Sequence, residues 1–253
     1  MFDFFFKKRE LLPLPYKREI HCHLIPEVDD GSQSFAFSIK ALRSLQDFGV
    51  ERVIFTPHHT YPRFLASVDV VQSRYEELKN RAKTEGLSID CENVSYEYRV
   101  DSALEELANA GKYGDANCKI RPLKGKYLLI ENSWRHPVSN MDEMIERLQD
   151  DGYSLILAHP ERYLYYAGMH GSHYHHLQEM NVEFQCNILS FTGYYGDVGK
   201  KMVYWMLNNG YVNYLGSDMH NEQHIKLIDK FLRSKDYAKI QSELIDSVNN
   251  DLI

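Results

Sequence analysis

The sequence predicts an α/β fold, a single domain whose parallel strands curl into a distorted (β/α)7 barrel of the TIM-like kind. Three observations carry that expectation. Short β-prone apolar runs alternate with stretches of helical periodicity in seven β-then-α steps. No Pro/Gly-rich linker or low-complexity segment separates the steps. The length, 253 residues, is one at which such barrels commonly form one domain. Seven steps fall one short of the usual (β/α)8 arrangement, so a distorted or incomplete barrel is expected.

Residues 1–17 precede the pattern as an N-terminal extension, and 18–253 form the barrel. Residues 18–24 read as the first strand. A helix over 36–48 follows, with Ile39, Leu42, Leu45 and Phe48 on one stripe. Residues 51–56 form the next strand, and 68–85 a charge-rich helix that Gly86 is placed to end. The chain is extended again over 88–98, then helical over 101–110 with Asp101 as N-cap. Strands at 126–131, 153–158, 181–188 and 211–216 alternate with helices at 139–151, near 170–180 and near 198–209. Helices complete the chain to about residue 248.

Composition narrows the class. Hydrophobic content of 43% and charged content of 26% are those of an ordinary soluble globular protein. A formal net charge of -7 argues against a nucleic-acid-binding face. No apolar stretch approaches the roughly 20 residues of a membrane span. The opening run Phe4-Phe5-Phe6 is too short for a signal-peptide core and precedes Lys7-Lys8-Arg9 instead of following them. That tail is expected to pack on the domain or fray, with a docking or membrane-touching segment as the alternative. Cys22, Cys91, Cys118 and Cys186 show no CxxC spacing, which suits reduced thiols in the cytoplasm.

Chemistry in such a barrel sits at the carboxyl ends of the strands. Nine imidazoles and carboxylates fall there. His21, His23 and Asp30 follow the first strand, His58 the second, Glu97 the third, Glu131 the fourth, His159 the fifth, and Asp218 and His220 the last. Residues two apart on a strand share a face, so His21/His23 and Asp218/His220 can each grip one ion. One such residue is commonly only a cap or a solvated group, but nine at one end of one barrel are not. A mixed nitrogen and oxygen set of this size suits two or three ions sharing bridging carboxylates. The cluster His170, His173, His175 and His176 reads instead as a solvated helix start, against the alternative of an auxiliary metal or pH-sensing patch. No Cys is followed six positions on by Arg (the residues there are Val28, Glu97, Lys124 and Thr192), which rejects a cysteine-dependent phosphatase. GxGxxG, P-loop and GxSxG runs are also missing from the sequence.

Motifs quoted in order are His21-Cys22-His23-Leu24-Ile25-Pro26, Val28-Asp29-Asp30-Gly31-Ser32, Thr56-Pro57-His58 and Tyr127-Leu128-Leu129-Ile130-Glu131. They continue with Ala158-His159-Pro160-Glu161-Arg162-Tyr163 and Gly216-Ser217-Asp218-Met219-His220-Asn221. Together they resemble the PHP (polymerase and histidinol phosphatase) superfamily, most closely the bacterial capsular and exopolysaccharide tyrosine-protein phosphatases of the CpsB/YwqE type. The resemblance implies the PHP fold and a metal-dependent protein-tyrosine phosphatase. It places all nine residues at metal-ligand positions, binding two or three divalent ions, with manganese first and iron or zinc as alternatives.

Arg162 matches an arginine that holds substrate phosphate, a role suited to bidentate guanidinium pairing. The bland alternative is a surface arginine paired with Glu161. Two departures stand out: Glu19 replaces an Asp, and the run Asn221-Glu222-Gln223-His224 lacks an expected Arg. The second phosphate contact would then come from Arg135, His136 or His224. Attack by a metal-bridging hydroxide is the implied mechanism, with Asp218, His220 and Arg162 as catalytic groups and His220 or a metal-bound water as proton donor. Tyr61, Trp134 and Tyr163 are candidates to line a slot for the phenyl ring. The implied partner is a bacterial tyrosine autokinase controlling polysaccharide export. Two other readings remain: hydrolysis of a small phosphomonoester such as histidinol phosphate, and a non-catalytic module that metals only stabilise.

Overall fold

In the computed structural model, which describes residues 9–112, 119–168 and 171–253, the strands take seven positions in one parallel order. The first is β1 (Arg18–Glu19). The second is β2 (Arg52–Phe55), resumed as β3 (His58–His59), and the third is β4 (Asp90–Val94), resumed as β5 (Glu97–Arg99). Then come β6 (Tyr127–Glu131), β7 (Ser154–Ala158), β8 (Glu183–Asn187) and β9 (Tyr214–Gly216). Pro57 has no N–H to give the ladder, which explains the break between β2 and β3. Backbone bonds from Ser95 to Phe55 O (2.8 Å) and from Glu97 to Pro57 O (3.1 Å) carry the pairing across it. His58 and Glu97 then stand opposite one another in register.

The first strand is shorter than the expected 18–24. Beyond Glu19 the N–H of His21 is taken by the Glu19 carboxylate at 2.9 Å, so that N–H is lost to the ladder. The chain still runs between its neighbours. Thr56 N donates to Cys22 O (3.0 Å), while Asp218 N donates to His21 O (2.9 Å) and His23 N to Met219 O (3.1 Å). A parallel bridge between Cys22 and Met219 joins the first and last strand positions. The buried Glu19 carboxylate also accepts the N–H of Ser217 (3.1 Å) and the hydroxyl of Tyr16 (3.0 Å). Below it, the Asn250 side chain donates to both Arg18 O (3.0 Å) and Leu215 O (2.7 Å). The curled sheet is thus pinned at its seam.

Alternation along the strands fills both faces. Leu128, Ile130, Leu155 and Leu157 face the helices, whereas Ile20, Ile54, Leu129, Ile156 and Ala158 fill the interior. Burial on both sides explains why these strands read as continuous apolar runs. The helical layer is α1 (Phe35–Asp47), α2 (Val68–Thr84), α3 (Ser102–Lys112), α4 (Met141–Asp150), α5 (Ser172–Glu179), α6 (Asp197–Asn208), α7 (Glu222–Leu232) and α8 (Lys235–Ser247). Ile39, Leu42 and Leu45 of α1 are buried as their spacing predicts, and Asp101 Oδ1 caps α3 through Ala103 N at 2.8 Å. Gly86 closes α2 at φ +73°. One domain results.

Residues ahead of β1 join this layer. Leu14 and Tyr16 are buried, Leu14 N bonds to Phe48 O (2.8 Å), and Tyr237 Oη bonds to Pro13 O. The expectations for Phe4-Phe5-Phe6, Lys7, Lys8, Cys118 and His170 concern positions outside the described residues. Among the described residues, no helix is long and apolar enough to cross a membrane.

The seam generates a prediction. Glu19→Leu strands the buried N–H groups of His21 and Ser217, and should cost roughly 2–4 kcal/mol of stability, read as a lower urea midpoint. An unchanged midpoint would show that the seam does not depend on this carboxylate.

Candidate metal centre

The strand ends converge on one buried cluster. Glu97 lies at its middle. Its Oε1 is 2.6 Å from His159 Nε2, and its Oε2 is 2.9 Å from His58 Nδ1, 3.3 Å from His23 Nε2 and 3.4 Å from His21 Nε2. Asp218 Oδ1 closes the other side, 3.3 Å from His23 Nε2 and from His220 Nδ1. Glu131 Oε1 is 3.6 Å from His58 Nδ1.

Among the described residues, four groups emerge whose ligand atoms lie within 4.8 Å of one another: His21/Glu97/His159, His21/His23/Asp218, His23/His58/His220 and His58/Glu97/Glu131. His21, His23, His58 and Glu97 each belong to two groups, as ligands shared between ions would. Eight of the nine expected residues are therefore together. Asp30 is the ninth and sits at the rim, half exposed, 3.5 Å from His58 Nε2 and 3.7 Å from His220 Nε2.

Neighbouring groups aim the imidazoles. His21 Nδ1 lies 2.6 Å from Gln185 Oε1, whose own amide group donates to Cys186 O and Asn187 Oδ1. His23 Nδ1 lies 2.8 Å from Asp29 Oδ2, and His220 Nδ1 2.8 Å from Asp218 O. Spending Nδ1–H on an oxygen fixes the tautomer and leaves Nε2 as a free lone pair, the usual arrangement behind a metal-binding imidazole. Asp29 and Gln185 were not singled out from the sequence. The doubled acid of Asp29-Asp30-Gly31 was a visible signal for the first; Gln185 had none, since its role depends on β8 lying beside the seam.

The backbone bends to serve this cluster. His159 and Asp218 adopt left-handed conformations (φ +37° and +47°), uncommon for residues with a Cβ and typical of functional sites. Gly216 is required by close approach: a Cβ there would stand 2.7 Å from His21 Cβ and 2.8 Å from Gln185 Nε2.

Electrostatics fit cations. Burial alone would raise the Glu97 carboxyl, yet His21, His58 and His159 outweigh it and hold it well below the ordinary range. Asp218 is likewise depressed against burial, by His220, His21, His23 and Arg162. Burial and His23 push His58 down, but Glu97 and Glu131 bring it up to about 10. Partial burial and the neighbouring His23 bring His220 down to about 3. Glu97 Oε2, Glu131 Oε2, His58 Nδ1 and His159 Nδ1 are buried without a hydrogen bond; the 2.9 Å His58–Glu97 approach is close but misaligned for one. Divalent ions satisfy such orphaned acceptors and displace protons from the rings. The donor set fits.

Arg162 reaches the cluster from the 3-10 turn Pro160–Arg162. Its Nη1 donates to Asp218 Oδ2 at 2.7 Å, and its guanidinium lies 4.2 Å from the Trp134 ring centroid and 3.9 Å from that of Tyr195. Glu161 is not its partner: that buried carboxylate accepts Asn187 N (2.9 Å) and Ser190 Oγ (2.5 Å). Arg135 is exposed and makes no side-chain contact with the cluster among the described residues. His136 is exposed too, whereas His224 is buried with Nδ1 3.1 Å from Asp218 O.

Arg99 was overlooked, although the same i, i+2 rule places it on the face of Glu97. Its Nε and Nη2 both donate to Glu131 Oε1 at 3.1 Å. Trp134 borders the cluster, 4.8 Å from the His159 ring, and Phe64 stacks on His58 at 5.3 Å. Tyr163 does not line an open slot, because it is buried and bonded to Ala158 O and Asn132 N. Tyr61 stands exposed in the loop after β3.

Other candidate groups lie apart. Cys22, Cys91 and Cys186 are free and buried, and burial raises all three thiols, Cys91 to about 11. His173 stacks on Tyr166, His175 pairs with Glu179 and His176 with Asp142, so these imidazoles take separate partners.

The chain has recognisable relatives. A protein of Staphylococcus aureus provisionally named tyrosine-protein phosphatase CapC is 26% identical over 213 residues, covering 80% of this chain and 76% of the relative. Tyrosine-protein phosphatase YwqE of Bacillus subtilis is 27% identical over 203 residues, covering 80% and 77%. Among solved structures, a chain from the work on YwqE of Bacillus subtilis and CpsB of Streptococcus pneumoniae, described as unique metal-dependent tyrosine phosphatases, superposes with a TM-score of 0.71. It shares 24% identity and covers 92% of this chain and 95% of its own, which establishes the common fold. The profile of the CpsB/CapC family of capsular polysaccharide synthesis matches residues 18–240, and the chain belongs to that family.

Proposed function

We propose that this chain is a metal-dependent protein-tyrosine phosphatase whose centre is formed by His21, His23, Asp30, His58, Glu97, Glu131, His159, Asp218 and His220. The observation that carries the reading is the overlap of four ligand groups through four shared residues. When bound, two or three divalent ions (manganese, iron or zinc) supply Lewis acidity and a water acidic enough to act as nucleophile near neutral pH. The protein supplies the rest. Glu97 and His21 hold neighbouring positions at a fixed spacing. Arg162 presents guanidinium N–H groups beside Asp218, where charge on phosphoryl oxygens needs neutralising. Arg99 offers a second guanidinium across the cluster and is a better-placed candidate than Arg135 for the missing phosphate contact. A phenolate leaving group, with a free pKa of about 10, asks little of a general acid. His220, only 19% exposed and drawn down to about 3, carries no extra proton to give near neutral pH, so any proton the phenolate takes would come from water.

A protein substrate is favoured over histidinol phosphate because the cluster reaches solvent through His58, His220 and Asp30, at 12%, 19% and 48% side-chain exposure. The partner we propose is a bacterial tyrosine autokinase that regulates capsular or exopolysaccharide synthesis, in keeping with the family. We place the enzyme in the cytoplasm, consistent with the free, buried Cys22, Cys91 and Cys186.

Four outcomes are expected. After metal reconstitution, a phosphotyrosine peptide should be turned over well ahead of phosphoserine peptide and histidinol phosphate; a preference for histidinol phosphate sinks the substrate, and inertness despite bound metal supports a non-catalytic module. His159→Ala and Asp218→Ala should each lower kcat by at least about a hundredfold with the far-UV circular dichroism unchanged, more than outer partners of metal ligands usually cost. Calorimetry gives the third. Manganese at about a hundred times its Kd should add about 2.7 kcal/mol, a Tm rise of roughly 5–10 °C over chelator-treated protein. No rise would deny the site its ions. Fourth, Trp134→Ala should weaken inorganic phosphate binding by about two- to thirtyfold, the range of a cation–π contact. In an Arg162→Ala background it should add nothing, whereas an additive loss would mean that Trp134 does not act through Arg162.

A further inference from the structure

The rim of the site continues into a groove. Tyr194 packs edge-on against Tyr195, 4.9 Å away, and Tyr195 in turn covers Arg162. The Tyr194 hydroxyl lies 3.1 Å from His224 Nε2, directly behind the Asp218 backbone. From Tyr194 a groove of about 360 Å³ runs outward between the turn Ile188–Thr192, α6 and α7, ending near Ser234 and Asp236. Phe191, Leu227 and Phe231 give it an apolar floor, and Lys200 and Lys230 stand on its walls. Neither lysine has an ion-pair or hydrogen-bond partner among the described residues, whereas Asp236 pairs with Lys239 at 3.7 Å. On a chain of net charge -7, this is a local reversal of sign beside the mouth.

We propose that the groove docks the acidic segment flanking the phosphotyrosine of a protein substrate, an inference that rests on the phosphatase reading above. A small aryl phosphate ends at Arg162, but the backbone of a peptide must leave the mouth across the surface. The groove meets it there. Its floor accepts an apolar side chain, and the two unpaired lysines offer charge to Asp or Glu on either side.

Kinetics on the metal-loaded protein test this. The double variant Lys200→Glu/Lys230→Glu should lose about tenfold in kcat/KM towards a phosphotyrosine peptide with acidic flanks, through KM, with p-nitrophenyl phosphate unaffected. Asp236→Lys should shift the same peptide in the opposite direction. Equal effects on both substrates, or none, overturn the groove. Fluorescence anisotropy of a labelled acidic peptide without phosphate gives a readout free of turnover: weaker binding by the double variant supports docking, and unaltered binding overturns it. Should the wild type hydrolyse neither substrate, the phosphatase reading fails while the anisotropy still decides the groove. A change in oligomeric state on charge reversal, seen by sedimentation, would assign the groove to a second copy and also overturn the proposal.

Discussion

The seam between the first and last strands is the constraint on which the rest depends. His21 and His23 lie near one end of the chain and Asp218 and His220 near the other, so they share a site only where the sheet curls back on itself. Glu19 holds that contact with a single carboxylate, spanning His21 N, Ser217 N and the Tyr16 hydroxyl. A buried carboxylate is costly unless its oxygens are satisfied, and these three donors satisfy it. Its longer side chain, relative to the expected Asp, is used fully: one oxygen reaches along its own strand and the other across to the neighbour. The departure from the family pattern is therefore a seam contact and does not alter the cluster directly.

Above the seam, apolar packing and charge divide the barrel interior between them. Ile20, Ile54, Leu129 and Ile156 close the lower part, and the carboxylates and imidazoles occupy the upper part. With water largely excluded by this packing, the mutual attraction of Glu97, Asp218 and the rings is strong. The same exclusion makes the unbonded oxygens of Glu97 and Glu131 demanding. Guanidiniums stand at two of the carboxylates, Arg99 on Glu131 Oε1 and Arg162 on Asp218 Oδ2. That pattern, carboxylates inside and guanidiniums outside, is what a site for cations and a phosphoryl group requires.

Much of this was legible in the chain itself. Strand and helix order emerged from periodicity, because strands buried on both faces and helices with one apolar stripe leave different spacings. The eight clustered residues were legible because chemistry in a parallel barrel collects where strands end. Element boundaries were less so. The first strand stops at Glu19 and not near residue 24, because a side chain intercepts the backbone N–H, and such interception has no periodicity to announce it.

By itself, then, the sequence determined the class of fold, the imidazoles and carboxylates that end its strands and the lack of a Cys followed six positions on by Arg, since each follows from residue type and local spacing. Only the tertiary structure decided which residues support them. Asp29 rather than Asp30 orients His23, Gln185 orients His21, and Arg99 rather than Arg135 faces the cluster. Those assignments depend on which strands are neighbours and how far each side chain leans, quantities of a few ångströms set by packing. Local spacing can place a residue on a face, but which residues meet across the barrel is fixed by how the sheet closes.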